Sequence, residues 1–198
     1  FERYQFNLAT HLPGRQPGSS MKTFVLAALF ENGFVPSDTV SGRSCNFDVP
    51  GSSEDYPVSG KGGTNSIVRQ TQASNNCAFL RLGQVVGTDK VVDMAKRLGV
   101  RSPLESYVSL PLGVFDITPL DMASAYATFA SGGIRVAPTL VTRVEAADGT
   151  VLYDHVPTFS RVFDEDIATQ VTATLTEGVR RGTGQQAKIG RPAAGKTG

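Results

Sequence analysis

Apolar and polar positions along this chain fall into blocks of different period. After a Pro17-Gly18 turn, residues 23–30 carry no charge and are mostly good or tolerable helix formers. This predicts a helix that starts at about Ser19 and ends at Glu31-Asn32-Gly33. A helix apolar on nearly all sides is a buried one, and so a stiff support for whatever sits at its first turn. Residues 1–14 mix aromatic and polar side chains with a Pro13-Gly14 turn and predict a short lead-in element. Periodicity then disappears over 34–64, a stretch rich in Gly, Pro, Ser and Asp with scattered apolar anchors at Val40, Phe47, Val49 and Tyr56. It predicts a long irregular excursion holding at most short strands, of the kind that is usually functional or mobile.

The pattern tightens again at Asn65, giving a short helix to about Ala73, a break at Ser74-Asn75-Asn76, and a second helix carrying Ala78, Phe79, Leu80 and Leu82 up to Gly83. Thr88 is read as the cap of a further helix, with Val91, Met94, Ala95 and Leu98 on one face and Gly99 as its stop. Residues 100–117 read as a loop with an exposed Leu110-Pro111-Leu112-Gly113. Thr118, Pro119 and Asp121 supply an N-cap, a first-position proline and a first-turn acid, predicting a helix over Pro119–Ala130 that stops at Gly132-Gly133. Residues 139–144 and 150–153 alternate around Ala147-Asp148-Gly149 and predict a β-hairpin. Asp164 is read as the cap of a long helix with Ile167, Val171, Leu175 and Val179 along one side, ended by Arg180-Arg181-Gly182. Beyond Gly184 the small residues of 189–198 predict an extended strand that another backbone can approach closely.

Composition narrows the field. The 198 residues are 40% hydrophobic and 19% charged, ordinary for one globular domain, and the net charge of +1 provides no field for nucleic acid. The longest apolar run is far short of the roughly 20 residues that span a bilayer. Cys45 and Cys77 allow one disulfide or two thiols; Cys77 lies in an apolar helical pattern, and the reading favours a small core residue. His11 and His155 have no ligand partners at metal spacing, so no metal and no cofactor is expected.

Candidate chemistry starts with Ser19 and Lys22. At i, i+3 their side chains share a helix face, roughly 5 to 6 Å apart at Cβ, within reach of each other. A serine hydroxyl needs a base, and a lysine becomes one when burial or a nearby cation lowers its pKa; the apolar helix provides burial. The first backbone N–H groups of the helix point at an oxygen held there, as an oxyanion hole requires. The alternative, a capping serine beside a solvated lysine, stands as long as this motif is taken alone.

Two further motifs decide between them. Ser74-x-Asn76 lies in a turn between helices, where its hydroxyl can be aimed, and Lys196-Thr197-Gly198 follows in the extended segment. Ser44-Cys45-Asn46 also matches Ser-x-Asn but lies in the irregular stretch. S-x-x-K, Ser-x-Asn and K-T-G in that order resemble the signature of serine β-lactamases and penicillin-binding proteins. The likeness is greatest to the transpeptidase domain of class A, bifunctional penicillin-binding proteins. It extends over Arg15 to Lys22, the stretch from Leu112-Gly113 through Thr118-Pro119 and Ala123-Ser124-Ala125-Tyr126-Ala127, Gly182-Thr183-Gly184, and Gly195 to Gly198.

That resemblance implies an α+β penicillin-binding/serine β-lactamase-like fold and a serine-type D,D-transpeptidase that cross-links peptidoglycan stem peptides and is inhibited by β-lactams. It implies Ser19 as nucleophile, Lys22 as base, Ser74 as proton relay to the leaving amine, and Asn76, Lys196, Thr197 and Gly198 as substrate-binding residues, with Asn76 also helping to position Lys22. It also implies location at the outer face of the bacterial membrane, with a membrane anchor and a glycosyltransferase domain in the full-length protein. The family's sheet has strands before S-x-x-K and after K-T-G, so residues 1–198 are expected to be a partial domain, mostly helical with one central strand carrying Lys196-Thr197-Gly198, and inactive alone. A class A β-lactamase needs a Glu-x-x-x-Asn base, whereas Glu105 is followed by Ser109 at the fourth position; a non-catalytic β-lactam sensor is the other alternative.

Overall fold

A computed structural model describes residues 7–48 and 53–198. Its centre is α1 (Lys22–Glu31), in which every residue from Lys22 to Phe30 is buried. The helix has no polar face because neighbours cover it on all sides: α3 (Asn76–Val86), α4 (Thr88–Arg97) and α6 (Glu165–Arg181) all pack on it. Each of its fully buried Phe, Val and Leu side chains contributes about 1.5–3 kcal/mol by leaving water. The predicted start is three residues early, since Gly18–Met21 forms a 3-10 turn and the α-helix proper begins at Lys22.

The 34–64 excursion is more ordered than its composition suggests. Two antiparallel ladders are nested within it: β1 (Thr39–Ser41) pairs with β4 (Thr64–Ser66), and β2 (Cys45–Phe47) pairs with β3 (Tyr56–Val58) between them. Val40, Phe47 and Tyr56 are half-buried, as expected of anchors, while Val49 lies outside the described residues, as do residues 1–6 of the predicted lead-in element. Cys45 and Cys77 form a disulfide, contrary to the reading of Cys77 as a free core thiol. The ladder places Cys45 opposite Val58, whose carbonyl also lies beside the Cys77 sulfur, so strand register rather than local sequence brings the two cysteines together.

The short helix α2 spans Ile67–Gln72, capped by the Ser66 hydroxyl, and α3 runs through Gly83 to Val86. Gly83 is therefore not a stop. A Cβ there would meet Pro111 Cγ at 2.4 Å, so the residue is small because the Leu110–Leu112 turn packs on it. That turn is buried at Leu110 and Pro111, not exposed, because the proline ring fills this notch. α4 is capped by Gly87 rather than Thr88. α5 (Pro119–Ala130) forms as predicted, with the Thr118 hydroxyl accepting from the Asp121 N–H at 3.1 Å. Buried Asp121 in turn holds exposed Arg101 at 2.9 Å.

The hairpin pairs β6 (Arg143–Glu145) with β7 (Val151–Asp154), and a second ladder joins β5 (Ile134–Val136) to β8 (Phe159–Arg161) around it. Asp164 occupies the N-cap of α6, but its side chain makes no capping bond. After α6 the chain bends at Gly190-Arg191, and residues 192–198 form no regular element and have no ladder partner among the described residues. The expected central strand is thus not formed here, since a strand needs a neighbour to pair with.

Candidate active site

Lys22 is wholly buried at the start of α1, yet its ammonium is not orphaned. It donates to the Ser74 carbonyl at 2.8 Å and to Asn76 Oδ1 at 2.7 Å, with the Ser74 hydroxyl at 3.3 Å. Burial, then the nearby Lys196 charge, push its pKa down to about 7. Every acceptor around it is neutral, so nothing offsets the desolvation of the cation. A neutral amine has two N–H groups and one lone pair. The two short bonds use the N–H groups and leave the lone pair free to accept a proton.

Ser19 is half-buried in the 3-10 turn that ends in Lys22. Among the described residues its hydroxyl makes no hydrogen bond: the expected Ser19–Lys22 pairing is replaced by the lysine's bonds to the Ser74–Asn76 turn. Its backbone N–H likewise has no acceptor among the described residues, whereas the next one, of Ser20, is tied to the Pro17 carbonyl at 3.2 Å. One free donor is therefore available beside the serine oxygen.

Three supports fix this turn. Gly113, at φ +72°, lies against Gly18, where a Cβ would come within 2.1 Å of the Gly18 carbonyl, and any side chain would displace the turn. Arg15 and Ile117 exchange backbone bonds of 3.1 and 2.9 Å. The hydroxyl of half-buried Tyr126 donates to the Ser20 carbonyl at 3.0 Å and lies 2.7 Å from the Thr23 hydroxyl; desolvation pushes its pKa up to about 12, so it stays a neutral donor.

Ser74 has φ +50°, the left-handed region that costs a non-glycine residue on the order of 1 kcal/mol or more. The turn holds it there with bonds from the Ser74 N–H to Thr71 and from the Asn75 N–H to Gln70. Asn75, which the sequence reading passed over, anchors the arrangement: its Oδ1 caps α3 at the Ala78 N–H, and its Nδ2 donates to the Gly42 and Lys61 carbonyls at 3.0 and 2.7 Å. Gln70 does the same for Val40 and Gly63. Buried amides beside a glycine-rich loop were the available signal. Ser44-Cys45-Asn46, by contrast, runs into β2, which begins at Cys45, and Cys45 is consumed in the disulfide.

On the other side of Ser74 stands Lys196, which donates to the Ser74 hydroxyl at 2.8 Å and to the Thr197 carbonyl at 2.9 Å; burial pushes its pKa down to about 8. The Ser74 hydroxyl therefore lies between two lysine amines. Thr197 shares a 2.9 Å hydroxyl contact with Thr183, a second residue missed as a site candidate. Gly198 closes against the serine turn, where a Cβ would meet the Pro17 carbonyl at 2.8 Å and the Ser20 hydroxyl at 3.0 Å. Three segments far apart in sequence thus meet at Ser19, Lys22, Ser74, Asn76 and 196–198. Glu105 is exposed in the loop after α4.

This arrangement has a nucleophile candidate, a buried base with a lowered pKa, a hydroxyl able to relay protons and a cation able to hold an anion, the parts that acyl transfer requires. A family profile described as "Penicillin binding protein transpeptidase domain" matches residues 5–198. Penicillin-binding protein 2D of Bacillus subtilis is 32% identical over 170 residues, covering 83% of this chain and 24% of that protein. The crystal structure of penicillin-binding protein 1A from Haemophilus influenzae superposes with a TM-score of 0.87 at 23% identity, covering 96% of this chain and 35% of the other. The PonA1 protein from Mycobacterium tuberculosis, solved in complex with penicillin V, has a TM-score of 0.73 and 28% identity over 88% of this chain and 49% of that one. The chain spans about a quarter of the length of the curated relatives it matches.

Proposed function

We propose, from the premise that this chain belongs to the penicillin-binding protein transpeptidase domain family, that it carries the acylation site of a D,D-transpeptidase cross-linking peptidoglycan stem peptides. Neutral Lys22 takes the proton of the Ser19 hydroxyl as that oxygen attacks the carbonyl of a D-Ala-D-Ala bond. The Ser19 N–H donates to the oxyanion. The peptide C–N bond then breaks, and the leaving amine receives a proton through the Ser74 hydroxyl, which both lysines contact. Lys196 and Thr197 hold the substrate carboxylate, a charge-assisted pairing, and Asn76 holds the substrate backbone as well as Lys22. A β-lactam follows the same first step and stays on Ser19 as a slowly hydrolysed acyl-enzyme.

The observation that carries this reading is Lys22: a fully buried lysine with only neutral acceptors, joined through one serine hydroxyl to a second lysine. The relatives' names, penicillin-binding proteins 2D and 1A, support a class A protein with an attached glycosyltransferase domain, anchored at the outer face of the bacterial membrane. Their length supports the view that residues 1–198 are part of a larger domain whose remaining sheet strands and second oxyanion donor lie elsewhere in the protein. A β-lactamase-like reading has little support, because Glu105 is solvent-exposed and its loop lacks the partnering asparagine.

The test is covalent labelling of the full-length protein by a tagged penicillin, with peptide mapping and a stem-peptide cross-linking assay. Label is expected on Ser19, with Ser19→Ala abolishing labelling and cross-linking and Lys22→Ala slowing acylation by about 10³-fold or more. Label on another residue, or fast release of hydrolysed drug, overturns the reading.

A further inference from the structure

Beside the catalytic constellation lies a groove of about 600 Å³ whose walls include Lys61, Asn65, Arg69, Gln72, Arg181 and Thr183. Three elements form it: the loop before β4, the last turn of α2, and the chain leaving α6. Gly182 binds two of these walls together, because a Cβ there would come within 2.5 Å of the Gln72 carbonyl, to which the Thr183 N–H donates at 3.0 Å. No carboxylate lines the groove. Among the described residues, Lys61 and Arg69 have no ion-pair partner. The nearest carboxylate to Arg181 is Glu177 at 3.9 Å, and that group already accepts from Arg180 at 2.9 Å and from Gln72 at 3.3 Å. Lys61 and Arg69 thus face the groove without an ion-pair partner among the described residues, and Arg181 has only a long contact to a carboxylate it shares with Arg180. Such a surface attracts anions, and no packing requirement explains it.

The position of the groove identifies which anion. Thr183 belongs to both places: it lines the groove, and its hydroxyl touches the hydroxyl of Thr197. In the acyl-transfer reading Thr197 holds the carboxylate of the departing D-alanine, so the groove opens on the leaving-group side. Microscopic reversibility brings the incoming amine along the path by which the leaving amine departs. We propose that this groove receives the acceptor peptide, the chain whose amine attacks the acyl-enzyme, by pairing Lys61, Arg69 and Arg181 with carboxylates on that peptide. The inference rests on the acyl-enzyme reading above and adds the identity of the second substrate as an acidic peptide. In the step concerned, the acceptor nitrogen forms a bond to the acyl carbon, the bond from that carbon to Ser19 Oγ breaks, and the amine proton returns to Ser19 through the Ser74 hydroxyl. Water competes for the same acyl group, so holding the acceptor determines how much product is cross-linked and how much is hydrolysed.

The test uses the full-length protein, a donor peptide ending in D-Ala-D-Ala, and two amine-bearing acceptor peptides identical except for Glu in one and Gln in the other. The readout is the ratio of cross-linked to hydrolysed product, with penicillin uptake at Ser19 recorded separately. For Lys61→Gln/Arg69→Gln the ratio with the Glu acceptor is expected to fall about tenfold, while the Gln acceptor and penicillin uptake change by less than about twofold. Arg181→Gln lowers the same ratio, Arg69→Lys retains most of it, and added salt erodes the preference of the unsubstituted protein for Glu over Gln. An unchanged preference in the double variant, or equal losses with both acceptors, overturns the assignment of the groove. Absence of penicillin uptake in the unsubstituted protein overturns instead the acyl-enzyme reading beneath it.

Discussion

At the scale of single residues, the proposed acyl transfer depends on keeping two amines in different protonation states. Lys22, lowered to about 7, is largely neutral somewhat above that pH; Lys196, lowered to about 8, is still largely charged just below it. With Lys22 as the proposed base, needed unprotonated, and Lys196 as the proposed carboxylate binder, needed protonated, acylation by penicillin is expected to rise through about pH 7 and fall beyond about pH 8. The two amines share the Ser74 hydroxyl, so the limbs belong to the pair and not to either lysine alone. Lys196→Arg separates them. A guanidinium keeps its charge to above about pH 12, so the alkaline limb should move out of the accessible range while the acid limb stays in place. A pH profile of the second-order acylation constant checks this, and an alkaline limb that persists in the variant would show that another group carries it.

At the scale of elements, the Ser74–Asn76 turn is held by the 39–66 segment as much as by its own helices. Asn75 and Gln70 satisfy carbonyls of that segment, Arg81 donates to the Ser41 and Arg43 carbonyls, and Cys45–Cys77 fastens β2 to the first turn of α3, one residue after Asn76. Closing a 32-residue separation constrains the unfolded chain by an amount worth about 3–4 kcal/mol in the loop-entropy account. Cys45→Ala/Cys77→Ala is therefore expected to lower stability by about 2–4 kcal/mol and to slow acylation by loosening the hold on Asn76. Denaturant unfolding with and without a reducing agent, beside penicillin uptake, is the measurement. Reductant should act on the unsubstituted protein and leave the double variant unchanged.

At the scale of the whole molecule, a helical core carries a site whose last component has no partner of its own kind. Residues 196–198 reach Ser74 and Pro17 through side chains and close contacts, but their backbone enters no ladder among the described residues. A segment held so loosely cannot present a carboxylate site with the sub-ångström precision that acyl transfer demands. The chain of residues 1–198 by itself is therefore expected to take up tagged penicillin far more slowly than the full-length protein. Stoichiometric labelling of the isolated chain at a comparable rate would sink that expectation.

The sequence by itself determined the elements with a strong local cause. α1 was legible because the seven consecutive buried residues from Phe24 to Phe30 form an uninterrupted apolar run, and α5 because Thr118, Pro119 and Asp121 encode its start within four positions. The candidate site residues were legible for a chemical reason: acyl transfer tolerates few side chains, so Ser19, Lys22, Ser74, Asn76 and 196–198 stand out by type and order before any distance is known. Tertiary structure alone decided what depends on long-range pairing. Strand register joined Cys45 to Cys77. The close approach of Pro111 turned Gly83 from an apparent helix stop into a notch. Asn75 and Thr183 entered the site only because distant backbones passed beside them. Most telling is Lys22, which bonds Asn76 as the resemblance implied but takes the Ser74 carbonyl, and not the Ser19 hydroxyl, as its other close partner. Helix geometry sets which neighbours a side chain can reach, whereas the competition among buried acceptors, which sets the one it bonds, exists only in the folded interior.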